Sequence, residues 1–159
     1  MRKIGTLYVV ATPIGNLGDI TLRALETLKM VDAIAAEDTR HTAGLLSHFG
    51  IVNKLISVHE HNERQSAEKL LTNLQIGESI ALVTDAGTPG ISDPGAIVVK
   101  IVREAGIKVV PIPGVSAVVA ALSASGITQN GFYFHGFLPA SGAARRKVLE
   151  SLKSQSVTL

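Results

Sequence analysis

The chain has 159 residues, 46% of them hydrophobic and only 18% charged, a balance too apolar for an intrinsically disordered segment. Fifteen Lys and Arg against thirteen Asp and Glu leave a net charge of +2, so charge alone argues for no nucleic-acid partner. The lack of cysteine excludes disulfides, thiolate zinc sites and a cysteine nucleophile, and it suits a reducing cytoplasm.

No apolar run approaches the roughly 18 residues needed to cross a bilayer, and Pro13 and Asn16 stop the N-terminal segment before it makes a signal peptide. A soluble protein without a membrane partner is expected. In chain order, residues 7–10 form the first short, near-continuously apolar run and read as a strand. Asp19 is placed to cap a helix whose buried side is Ile20, Ala24, Leu25 and Leu28. Residues 33–36 make a second strand, after which Asp38 or Thr39 opens a helix ending near Gly50. A third strand spans 55–58. Ala67, Leu70, Leu71 and Leu74 then follow the i, i+3, i+4, i+7 helical template, with Asn62 and Gln65 as a capping-box-like start and Gly77 as the stop. Residues 80–83 are the fourth strand, and Asp93 with Pro94 reads as N-cap and first residue of a helix running through Ile97, Ile101 and Val102 to Gly106. The fifth strand is 108–112, and a further helix lies between Gly114 and Gly126.

This alternation predicts an α/β domain with a mostly parallel five-stranded sheet, each strand buried by crossover helices on both faces. The composition shifts after Gly126. Four of the six aromatic residues fall at Phe132, Tyr133, Phe134 and Phe137, and the chain then turns basic at Arg145, Arg146 and Lys147. Residues 1–126 are therefore expected to form one domain, and 127–159 a linker with the beginning of a second α/β domain. Residues 156–159 resemble the opening of a strand without continuation, which suggests a truncated chain.

Ligands of an open parallel sheet bind where loops leave the carboxyl ends of the strands. Three such loops are rich in Gly and Pro: Ala11-Thr-Pro-Ile-Gly-Asn16, Thr84-Asp-Ala-Gly-Thr-Pro-Gly-Ile-Ser-Asp-Pro-Gly95 and Pro113-Gly-Val-Ser-Ala117. Any one of them could be an ordinary turn, but three on one edge favour a ligand that approaches bare backbone and helix N-termini. Neither G-x-G-x-x-G after the first strand nor G-x-x-x-x-G-K-[ST] is present, which weakens NAD and P-loop readings. Ser116 lacks the second glycine of a nucleophile elbow and reads as a hydroxyl near a helix start. His59, His61 and Glu63 could be drawn as metal ligands, but a polar loop leading into a capped helix explains them better, and no metal is expected. Glu37, Asp38, Arg40 and His41 cluster at the exit of the second strand. They could transfer a proton or bind an anion; equally, Asp38 could cap a helix while Glu37 and Arg40 form a solvated ion pair. The basic run 145–147, followed by Lys153, could contact phosphates or be the wet face of a helix.

In this order, Thr12-Pro-Ile-Gly-Asn16, Ala36-Glu-Asp-Thr-Arg-His-Thr42, Asp85-Ala-Gly-Thr-Pro-Gly-Ile-Ser-Asp-Pro94 and Gly136-Phe-Leu-Pro139 resemble the ribosomal RNA small subunit methyltransferase I family. Its members are bacterial enzymes of the tetrapyrrole methylase superfamily that methylate the 2'-oxygen of a cytidine ribose in 16S rRNA. The likeness runs from Gly5 to Leu159, with Val115 standing where relatives often carry a proline. The resemblance implies two α/β domains, S-adenosylmethionine in the cleft between them, a homodimer, and 16S rRNA of the small ribosomal subunit as partner. Carried over by motif, it implies cofactor contacts at Pro13, Ile14 and Gly15, at Asp85, Gly87, Thr88, Pro89, Gly90 and Ile91, and at Ser116 and Ala117. It also makes Asp38, Glu37 and His41 candidates to accept the ribose proton, with Arg40 positioning a phosphate. With only the first domain complete, the fragment alone is expected to be inactive. Two alternatives are a precorrin-type tetrapyrrole C-methyltransferase and a non-enzymatic α/β module binding a nucleotide or partner.

Overall fold

The structure is a computed structural model that describes residues 4–59, 63–128, 131–155 and 157–158. The chain divides into two compact units, Met1–Ala117 and Val118–Leu159. The first contains strands β1 (Thr6–Val10), β2 (Ala33–Ala36), β3 (Leu55–Ser57), β4 (Ile80–Val83) and β5 (Lys108–Ile112), with helices α1 (Leu22–Met30), α2 (Thr39–His48), α3 (Glu63–Gln75) and α4 (Ala96–Glu104) between them. Helix α5 (Ala117–Ala124) follows β5, and α6 (Gly142–Leu152) belongs to the second unit.

All four strand pairs are parallel, in the order β3-β2-β4-β1-β5. The expected α/β sheet is present. Successive strand residues face opposite sides, so each strand feeds two cores. Leu7, Ala35, Ile80 and Leu82 pack with Ala67, Leu70 and Leu74 of α3 and Val98 and Val102 of α4. On the other face, Val10, Ile34, Ala36, Ala81 and Val83 pack with Ala24 and Leu28 of α1 and Leu46 of α2. Burying each Leu or Ile of these layers contributes about 1.5–3 kcal/mol. Strands β2 and β4 are buried at every residue, whereas β3 and β5 lie at the edges and are partly open, where Pro111 needs no outer ladder partner.

The structure corrects three local expectations. Asp19 does not cap α1: it ends a single 3-10 turn, Leu17–Asp19, capped by Asn16, and the hydroxyl of Thr21 takes the Ala24 N–H at 3.1 Å instead. Asp93 and Pro94 do not open α4, which begins after Gly95 as N-cap and buries Val98 and Val102 while Ile97 stays exposed. The third strand stops at Ser57, although buried Val58 still donates its N–H to Ala36 at 2.8 Å. Helix α3 starts at Glu63, and the suggested start at Asn62 lies outside the described residues.

In the second unit, the expected strand is reduced among the described residues to one parallel bridge between Phe132 and Thr158. Phe132, Tyr133, Phe134 and Phe137 are exposed. Arg145, Arg146 and Lys147 are exposed along α6, and Lys153 pairs with Glu150 at 2.8 Å.

Candidate functional site at the carboxyl ends of the strands

Strands β1 and β4 are neighbours, but α1 leaves β1 over one face of the sheet and α4 leaves β4 over the other. The chain therefore parts between them at their carboxyl ends, which opens a crevice there. Two backbone hydrogen bonds close its floor: Thr12 N–H donates to Gly87 O at 2.9 Å and Gly87 N–H to Thr12 O at 3.0 Å. Buried beside them, the Thr12 hydroxyl donates to Thr84 O at 2.9 Å. This close approach uses a glycine, since Gly87 sits at φ +90° and a side chain there would face Ile14 at 3.7 Å. The Thr88 hydroxyl donates to Val115 O at 3.2 Å and ties in the loop after β5.

The three loops chosen from the sequence are thus joined by hydrogen bonds. Pro13, Gly87 and Pro89 are buried, Ile14, Asp85, Thr88, Gly90 and Ser116 are half-buried, and Gly15, Ile91 and Ala117 are exposed.

The exit of β2 joins the same edge. Glu37 Oε2 accepts the Thr84 hydroxyl at 2.7 Å, and Asp38 N–H donates to Asp85 Oδ1 at 3.1 Å. The suggested Glu37 and Arg40 ion pair is not the one formed. Arg40 donates instead to Asp38, from Nη2 to Oδ2 at 2.7 Å and from Nε to Oδ1 at 3.1 Å, while its backbone N–H caps onto Oδ1 at 2.8 Å. These contacts, the guanidinium first, hold the Asp38 carboxyl well below the ordinary carboxylate range and raise Arg40. Asp38 is thus both the N-cap of α2 and a weak proton acceptor. His41 is exposed on the same turn.

Asp93 completes the group, and the sequence had assigned it elsewhere. Burial first, and then the charges of Glu37 and Asp85, raise its carboxyl above the ordinary value, against a hydrogen bond with Thr84 that lowers it. Glu37 and Asp93 therefore meet at the Thr84 side chain, and the Asp85 charge acts on Asp93. The clue would have been the loop after β4: Gly87, Gly90, Ser92 and Gly95 all have positive φ, so it doubles back on itself rather than running straight into a helix.

A groove of about 710 Å³ follows the open sheet face beside α4, lined by Val9, Val99, Arg103, Val109 and Pro111 and reaching Pro89 and Gly90. Its lining is apolar apart from Arg103, whereas the convergent polar groups lie at the strand ends, and those ends are the candidate site. Of the suggested metal set, His61 lies outside the described residues, and Glu63 is engaged with the backbone N–H groups of Gly95 and Ile97. No group of three potential metal ligands occurs among the described residues.

Residues 6–159 match the family model of tetrapyrrole (corrin/porphyrin) methylases. The chain is similar to ribosomal RNA small subunit methyltransferase I of Escherichia coli O157:H7, at 57% identity over 98% of this chain and 54% of that protein. It is similar to the protein of the same name from Neisseria meningitidis serogroup B, at 60% identity over 91% of this chain and 50% of the other. The chain thus spans about half the length of the curated relatives it matches. Among solved structures it resembles uroporphyrin-III-C-methyltransferase from Thermus thermophilus, with a TM-score of 0.62 and 28% identity over 80% of this chain and 54% of that one. Diphthine synthase, at a TM-score of 0.63 and 18% identity over 77% of this chain and 49% of that one, shares the fold.

Proposed function

The chain belongs to the tetrapyrrole methylase family, and on that premise we propose that the protein carrying it is an S-adenosylmethionine-dependent methyltransferase acting on the 2'-oxygen of a cytidine ribose in 16S rRNA of the small ribosomal subunit. The observation that carries this reading is the likeness along nearly the whole chain to proteins named for rRNA methylation. The strand-end loops support it. Glu37, Asp85 and Asp93 offer carboxylates to a cationic, hydroxyl-bearing cofactor, and the bare backbone at Gly87 and Gly90 lets it come close. S-adenosylmethionine, when bound, supplies a methyl group made electrophilic by a sulfonium.

The protein's part is orientation and an acceptor for the ribose proton. Pro13, Ile14, Gly15, Asp85 to Ile91, Ser116 and Ala117 hold the cofactor. Because Arg40 already occupies the Asp38 carboxylate, Glu37 and the less acidic Asp93 are the better proton acceptors. Arg40, mostly exposed, keeps free face to meet an RNA phosphate. Residues 1–126 serve as the N-terminal domain of a two-domain, cytoplasmic homodimer whose second α/β domain begins in 127–159. No helix among the described residues is long and apolar enough to cross a membrane.

A labelled-methyl assay tests this, using the full-length protein with 30S subunits, with deproteinised 16S RNA and with precorrins. Transfer to a cytidine ribose is the expected result, and transfer to a precorrin carbon alone would move the protein to the tetrapyrrole branch.

A further inference from the structure

Glu63 opens α3, yet its carboxylate serves another helix. Oε1 accepts from Gly95 N–H at 2.7 Å, from Ile97 N–H at 2.9 Å and from Val98 N–H at 3.4 Å, and Glu63 is only 7% exposed. The first-turn donors of α4 have no cap from their own segment, since Gly95 has no side chain to offer. A buried carboxylate 32 residues earlier in the chain takes their place and sets a negative charge at the positive end of the helix.

The segment that this contact ends is the loop after β4. Its positive-φ positions include a serine, Ser92 at φ +62°, and its second half folds back on itself: a side chain on Gly95 would lie 3.5 Å from Gly90 N and one on Gly90 would lie 3.5 Å from Ala96 N. Such a loop is held by what anchors it. Gly87 is anchored to Thr12 and Thr88 to Val115, and Glu63 is the anchor at the far end.

We propose that Glu63 is a positioning residue for the cofactor loop: through Gly95 and the first turn of α4 it sets the place of Pro89 and Gly90 against the methyl donor. The proposal rests on the methyltransferase reading above. Glu63 acts through the backbone and touches neither cofactor nor substrate.

The test is calorimetric binding of S-adenosylmethionine to the full-length protein, well below each variant's Tm, combined with steady-state kinetics. Glu63→Ala leaves three N–H groups without their acceptor and is expected to weaken cofactor binding about tenfold or more, with KM for the cofactor rising and kcat changing less than about threefold. Glu63→Gln keeps an acceptor oxygen and is expected to bind within about threefold of the native protein. Leu70→Ala, a core change on the same helix, controls for lost stability and is expected to lower Tm with unchanged affinity. Native affinity in Glu63→Ala, or equal weakening in Leu70→Ala, overturns the positioning role and leaves the methyltransferase reading standing. Absence of binding by the native protein overturns both.

Discussion

The guanidinium of Arg40 grips the carboxylate of Asp38 two residues before it, with Nη2 to Oδ2 at 2.7 Å and Nε to Oδ1 at 3.1 Å, on the first turn of α2. A carboxylate so held stays ionised far into acid and takes up protons poorly. In single-turnover methylation by the full-length protein, Asp38→Asn is therefore expected to leave the pH profile in place and to lower the rate by less than about tenfold. Glu37→Gln is expected to lower it by about a hundredfold. The reverse ranking would return Asp38 to the role of proton acceptor.

The same pair sets a pH dependence of stability. The Asp38 carboxyl is lowered in the folded state, so its contribution is present above the ordinary value of 3.8 and is lost as pH falls below it. Asp38→Asn should lower Tm at pH 7, and thermal melts should show the difference from the native protein shrinking between pH 4 and pH 2.

Asp93 carries the opposite sign. Its folded-state pKa is raised, so the native state holds this proton more tightly than the unfolded chain does, and stability falls as pH rises through and above 3.8. Asp93→Asn removes a charge facing Glu37 and Asp85 and is expected to raise Tm at pH 7, with the gain disappearing in melts near pH 3. An unchanged Tm at pH 7 would mean that solvent screens the three carboxylates.

Two glycines separate backbone strain from collision. Gly95 lies at φ +129° with Leu82 Cδ2 3.1 Å from where a side chain would begin, whereas Gly87 at φ +90° would meet only Ile14 at 3.7 Å. Gly95→Ala is expected to destabilise by about 2–3 kcal/mol and Gly87→Ala by about 1 kcal/mol, measured by urea unfolding.

Leu70 is fully buried between α3 and the sheet, and Leu22 on α1 is 79% exposed. Urea unfolding should give a loss of about 2–5 kcal/mol for Leu70→Ala and about 0.5 kcal/mol or less for Leu22→Ala.

The strands were legible because their information is local. Ile80 to Val83 are apolar in unbroken succession, as a strand covered on both faces must be, and the run read from the sequence coincides with β4. Helix α2 was legible to within a residue, with Asp38 or Thr39 at its start, and the structure makes Asp38 the cap. Helix starts slipped where two cap residues lay close together, as with Asp19 and Thr21, because choosing between them depends on the direction from which the chain enters the helix.

The sequence by itself determined the α/β alternation, the loops on the carboxyl edge and, through Thr12 to Asn16 and Asp85 to Pro94, the family. Only the tertiary structure decided the partners: Arg40 with Asp38, Glu37 with Thr84, Asp93 against Glu37 and Asp85, and Glu63 with the first turn of α4. The reason is physical. An apolar run carries its preference for burial wherever it lies, but a carboxylate can accept from any donor within reach, and that donor is set by a sheet order that places β4 between β2 and β1.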